Sequence, residues 1–355
     1  MSNYDKLIEI YKNGINVFAD PVGAQIASIQ YVNSYGDTME IMNQGQFYPE
    51  GYAYGKTATN LVMTPGPAAR FNKRTLESAQ NYKGEEMPVI KGTIRGDEVN
   101  AVATKYNNYP TLAVEHGWSQ FVPYTIQGGG KANDDYFVLV NGKDKLSPFK
   151  YRHHVACSIE DDGSIKYTTE LSNNGNAPIP GGLGWHPVFN LHNEPERFIA
   201  VFEDVVPENK DFPIEDGFVI DCKEIINRGG VKIKGFKSAT VALYYVDNKM
   251  KLIPYLKVSS KCPTWVLCGK DDGLVIGPWN TDKTRVYEQI TNQNDLSFLS
   301  DKGYNVLMPG ESSSIETTIR ICQEYVKYKY RHVVDEKDNN RPTKTCKMIN
   351  QGMER

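Results

Sequence analysis

No apolar run in the 355-residue chain is long enough to span a bilayer. The opening Met1-Ser2-Asn3-Tyr4-Asp5-Lys6 lacks the basic and then apolar segments of a secretory signal. Positive charge is not in excess either: the formal net charge is −3. That excludes the basic face which nucleic acid or an anionic membrane surface would demand. Cys157, Cys222, Cys262, Cys268, Cys322 and Cys346 include no Cys-x-x-Cys pair, and no histidine lies beside Cys262 and Cys268 to complete a zinc site. Reduced, structural thiols fit this spacing better than a disulfide framework. The expectation is a soluble, cytoplasmic protein with no metal, no nucleic acid and no membrane among its partners. A fixed-period repeat is also missing, which excludes solenoids and propellers. Long helical periodicity is scarce; only residues 4–11 and 73–82 carry spacing that suits a helix.

What the chain does have is short alternation broken by Gly, Asn, Asp and Pro. Ile165, Tyr167, Thr169 and Leu171 share one face of an extended segment, with Lys166, Thr168 and Glu170 on the other. Ile315, Thr317, Ile319 and Ile321 repeat the pattern against Glu316, Thr318 and Arg320. Period-two patterns of this kind predict half-buried antiparallel strands. Asp161-Asp162-Gly163 predicts a hairpin turn, since glycine accepts the positive φ that a tight turn requires. Residues 239–245 and 274–277 read as further strands. A composition of 40% hydrophobic residues supports a sizeable core, and many short strands separated by turns predict an all-β sandwich. The domain reading is one β-sandwich over residues 1–323. Residues 324–355, from Tyr325-Val326-Lys327-Tyr328 onward, form a C-terminal extension: a last strand or short helix followed by a disordered tail, or a basic interaction arm.

Three polar clusters stand out against this frame. Pro65-Gly66-Pro67-Ala68-Ala69-Arg70 is a rigid turn leading to an arginine, whose planar fork of donors suits paired oxygens. Glu115-His116-Gly117-Trp118 sets a histidine beside a glycine that permits close approach and a flat indole. Gly184-Trp185-His186-Pro187-Val188-Phe189-Asn190 fixes a histidine at the end of an apolar run, and imidazole exchanges protons near neutrality. Taken singly, such an arginine is more often a solvated charge and such a histidine more often structural. Three clusters in one β protein shift the balance toward proton transfer on a polar, neutral substrate, read here as a sugar.

In their order and separations these motifs resemble the aldose 1-epimerase (galactose mutarotase-like) family, over most of the chain. Residues 18–28 with Gly23-Ala24 look like the family's opening strand pair. Arg70 and His116-Gly117 match its sugar-binding arginine and His-Gly step. Asn173-Asn174-Gly175 followed by Gly184 to Asn190 is similar to the stretch that holds the catalytic acid. Met308-Pro309-Gly310-Glu311 looks like the turn before the last strand. The resemblance implies a large antiparallel β-supersandwich with few short helices, no cofactor and no metal, and interconversion of the α and β anomers of an aldose or a sugar phosphate. It implies that His186 is the acid and that Arg70, His116 and Trp279 bind the sugar. For the base two placements compete. Glu288, in Arg285-Val286-Tyr287-Glu288, stands near the spacing of the better-known members and is favoured. In shorter members a Glu-Pro-Trp motif supplies the base, and here that stretch reads Gly277-Pro278-Trp279. If Gly277 replaces the base and no other carboxylate is recruited, the alternative is a non-catalytic carbohydrate-binding protein on the same scaffold.

Overall fold

The structure is a computed structural model, and it describes residues 7–33, 36–42, 61–63, 68–72, 78–82, 85–94, 97–102, 111–115, 117–131, 134–142, 147, 149–270, 273–281 and 305–338. Two large antiparallel sheets dominate it. The nine-stranded sheet runs Tyr124–Gly129, Tyr136–Asn141, Tyr151–Ile159, Ile165–Asn173, Ser312–Ile321, Leu252–Ser260, Phe236–Val246, Phe198–Pro207 and Phe218–Asp221. The six-stranded sheet runs Val231–Lys234, Thr264–Lys270, Gly273–Trp279, Gly184–His186 and Leu61–Met63, with Val188–Asn190 also pairing Gly273–Trp279. The expected all-β, antiparallel architecture is what the chain adopts.

The alternation read from the sequence becomes burial. Ile165, Tyr167, Thr169 and Leu171 point inward along their strand, and Ile315, Thr317, Ile319 and Ile321 do so along theirs. The two strands pair directly, Ile165 opposite Ile319 and Thr169 opposite Ile315. The Asp161–Gly163 turn closes the hairpin between Tyr151–Ile159 and Ile165–Asn173, with Gly163 at φ 76°. Between the sheets, Tyr167 of the nine-stranded layer stacks on Trp185 of the six-stranded layer, ring centroids 4.2 Å apart and 22° from parallel. Both rings are buried. This stack pins the short strand that ends in His186.

The two helical expectations are corrected where the described residues reach them, residues 4–6 and 73–77 lying outside those. Ile8–Lys12 is a strand, with Ile8 and Ile10 buried and Glu9 and Tyr11 outward, paired to Ile15–Asp20 across an Asn13-Gly14 turn. Both turn residues take positive φ, 53° and 76°, the geometry that keeps a two-residue hairpin in twist with its strands. Ser78–Tyr82 is likewise a strand, pairing with Glu85–Ile94. The α-helices among the described residues are two. Cys222–Arg228 is capped by the Asp221 side chain, which accepts a hydrogen bond from the Glu224 backbone N–H at 2.8 Å. Gln323–Asp338 follows the last strand and sends Tyr325 and Val326 into the core. No helix of the described residues is long and apolar enough to cross a membrane. No disulfide joins Cys157, Cys222, Cys262, Cys268 or Cys322, and Cys346 lies outside the described residues.

Candidate functional site

In the six-stranded sheet, Trp185, Trp265, Leu267 and Ile276 fill the core. Strand alternation therefore turns His186, Gly277, Trp279, Val266, Thr264 and Lys232 to the opposite face. The register sets them in two rows. Lys232, Val266 and Gly277 lie side by side on adjacent strands. Gly184 pairs with Trp279, which puts His186 beside Gly277 at the end of that row. The His186 imidazole and the Trp279 indole meet with centroids 5.4 Å apart and 34° between planes. Lys232 Nζ stands 5.6 Å from the centre of the same indole, within the range at which an ammonium is drawn to an aromatic face.

Gly277 is the floor between these groups. A β-carbon there would lie 2.7 Å from the Trp185 carbonyl oxygen, 3.2 Å from His186 Cδ2 and 3.3 Å from Trp279 Nε1. The first distance is shorter than any carbon tolerates against a backbone atom. Glycine at 277 is thus a packing requirement of this site: the two rings and the neighbouring strand occupy the room that a longer side chain would need.

Two buried polar groups border the same surface. The Trp279 indole N–H, on a residue that is 7% exposed, has no hydrogen-bond partner among the described residues, and the hydroxyl of fully buried Thr264 has none either. Thr264 and Trp279 are register partners. Unpaired buried polar atoms are costly, and here one donor and one hydroxyl stand next to each other on the face that carries His186. This arrangement offers a flat aromatic wall, an imidazole, an ammonium and polar positions for hydroxyl groups.

Arg70 stands in the Ala68–Asn72 strand, opposite Ala113 of Thr111–Glu115, and Glu115 pairs with Ala68. The backbone therefore brings Arg70 close to the segment that leads into His116. His116 itself and Glu288 lie outside the described residues. Glu311 is a turn residue, its carboxylate accepting the Met308 N–H at 2.8 Å. Sequence reading did not single out Lys232, which is separated from Trp279 by more than forty residues and meets its ring only through strand order. Nothing in its local pattern, Val231-Lys232-Ile233-Lys234, marks it.

The architecture is the galactose mutarotase-like fold. Among solved structures, the chain is similar to a galactose mutarotase related enzyme from Lactobacillus acidophilus, at 16% identity and a TM-score of 0.59, covering 90% of this chain and 98% of that one. It is also similar to a galactose mutarotase-like protein from Lactobacillus casei, at 14% identity and a TM-score of 0.54, covering 89% and 99%. A galactose 1-epimerase from Lactobacillus acidophilus aligns at 11% identity and a TM-score of 0.50, covering 87% and 92%. No protein-family model matches the sequence. No curated protein matches it either.

Proposed function

We propose that this chain is an isomerase that interconverts the α and β anomers of a sugar by acid–base ring opening. What carries the reading is the grouping of His186, Trp279 and Lys232 around Gly277 on one sheet face, in a fold shared with proteins described as mutarotase-like and as a galactose 1-epimerase. Trp279 offers an apolar wall for the C–H face of a pyranose, and Arg70 and His116 orient its hydroxyls. A carboxylate, Glu288 by preference, takes the proton of the anomeric hydroxyl. The electron pair forms the C1 carbonyl as the bond from C1 to the ring oxygen breaks, and imidazolium His186 gives that oxygen its proton. Rotation about the C1–C2 bond followed by the reverse steps closes the other anomer, and both groups recover their starting protonation. No electrons change hands, so no redox cofactor enters.

One observation favours a second reading. A β-carbon at Gly277 would meet the Trp185 carbonyl oxygen and the His186 and Trp279 rings, so if this position is where shorter family members carry the carboxylate of the Glu-Pro-Trp motif, this chain has no base there. Without Glu288 the protein would bind sugar and leave it unchanged. Saturation-transfer NMR on fresh α-D-galactose and α-D-glucose tests both. The isomerase reading expects acceleration that falls roughly 10²–10⁴-fold in both His186→Ala and Glu288→Gln, the usual worth of a general acid or base. Sugar binding without acceleration by the unaltered protein would leave the binding-protein reading standing.

A further inference from the structure

Lys232 belongs to the edge strand of the six-stranded sheet. Along the row through Val266 it stands two strand spacings, about 10 Å, from Gly277. Its ammonium nevertheless lies 5.6 Å from the centre of the Trp279 indole. The stem of this half-buried lysine therefore leans inward across Val266 and carries the charge to the ring instead of out to water. Among the described residues, no aspartate or glutamate stands in any strand of this sheet. Within the sheet, nothing of opposite charge competes with the indole for the ammonium.

The indole has little else to orient it. Its N–H has no hydrogen-bond partner among the described residues, and Gly277 beside it has no side chain to pack against the ring. Among the described residues two groups meet its π-system, the Lys232 ammonium and the His186 imidazole, the latter with centroids 5.4 Å apart and 34° between planes. A cation is drawn to the negative face of an aromatic ring, and more strongly where water is kept away, as around this nearly buried indole. The ammonium thus sets the plane of the indole, and the indole is the surface against which the imidazole lies. Ammonium, indole and imidazole form one chain of contacts that ends on the proton donor.

From this we infer that Lys232 is a positioning residue for the acid: acting through the Trp279 indole, its ammonium holds the His186 imidazole in the orientation from which it protonates the ring oxygen. The kinetic half of the test rests on the isomerase proposed above, and the spectroscopic half does not. Lys232→Met keeps the stem and removes the charge, Lys232→Gln is a second neutral variant, and Lys232→Arg keeps a cation. All are made in the full chain, with thermal unfolding to confirm that they fold. On whichever of α-D-galactose and α-D-glucose the unaltered protein accelerates more, the neutral variants should lower kcat about three- to tenfold, the scale of one cation–π contact, with KM held within about twofold. Lys232→Arg should recover most of the rate. The Trp279 indole N–H resonance, assigned by its loss in Trp279→Phe, should shift or broaden in the neutral variants and return in Lys232→Arg. Equal loss in all three variants overturns the inference, because packing of the stem and not its charge would then be responsible. Neutral variants that change neither readout, or only one of them, overturn it too. If the unaltered protein accelerates no sugar, the isomerase reading fails on its own and the indole resonance decides. The positioning contact then stands only if the neutral variants disturb that resonance and Lys232→Arg restores it.

Discussion

At position 277 the missing side chain and the packing around it are one fact. Alanine there would press its β-carbon against the Trp185 carbonyl oxygen at 2.7 Å and the His186 ring at 3.2 Å, and the backbone contact cannot swing aside. Gly277→Ala should cost about 1–3 kcal/mol in urea unfolding, the usual penalty of overpacking. Gly277→Glu should fail to rescue a Glu288→Gln variant in the anomerisation assay, because the added carboxylate has no room beside His186. A recovered rate would show that the strand can give way.

Two histidines outside the site set the acid limit of stability. His153 is fully buried and pushed down to about 3 by burial and by the neighbouring His154. Its ring lies between the Tyr124 hydroxyl and the Thr169 hydroxyl at 2.5 Å, which matches a neutral imidazole with one donor and one acceptor nitrogen. Burial and the Lys329 ammonium hold His192 down at about 4. Both side chains are neutral in the fold and titrate near 6.5 once unfolded. The unfolded chain thus binds more protons below that pH, and stability present above about pH 6.5 is lost as pH falls toward 4 and then 3. By pH 4.5 each histidine should remove roughly 2–3 kcal/mol. Urea midpoints at pH 7.5, 5.5 and 4.5 measure this, and His192→Phe should flatten part of the slope.

Among the elements, half-buried strands were legible and two segments were not. Ile165–Asn173 and Ser312–Ile321 alternate because one face meets the core and the other solvent, so period two is written in their residues. Around Ile8 the apolar positions also fit helical spacing, and the local pattern cannot choose. The Asn13-Gly14 hairpin and the partner strand Ile15–Asp20 decide it. The helix Cys222–Arg228 did carry a signal, an Asp221 followed three residues on by Glu224, the acidic version of a helix start. At the other end, Tyr325 anchors the helix Gln323–Asp338 among Phe198, Tyr245, Tyr255 and His192, with centroids 4.6–6.0 Å away. Lys329 adds an ion pair to Glu194 and sits 4.8 Å over the Tyr245 ring. Tyr325→Ala should cost about 3–4 kcal/mol by the measure of large buried aromatics, while truncation after Asp338 should leave the unfolding midpoint of the described domain unchanged.

For the whole molecule, the histidine, the tryptophan and the glycine of the candidate site could be picked out from local motifs, but Lys232 could not. Alternation tells a strand which face is buried; it does not tell it which strands become its neighbours. That information sits in long-range pairing, such as Lys232 beside Val266 beside Gly277. The same non-locality governs assembly. Ser312–Ile321 pairs with Ile165–Asn173 on one side and Leu252–Ser260 on the other. Deleting residues 312–338 should therefore abolish cooperative unfolding, seen as loss of the near-ultraviolet circular dichroism of the packed aromatics.

The position of that strand bears on how the protein is made. A ribosome that has translated three-quarters of the message has produced two broad sheet fragments whose inner borders still bear open rows of amide and carbonyl groups. Such borders invite other strands. Until the closing segment leaves the exit tunnel, nascent copies on one polysome are exposed to joining each other, so yield in the cell should depend on chaperone capacity more than on the stability of the finished fold.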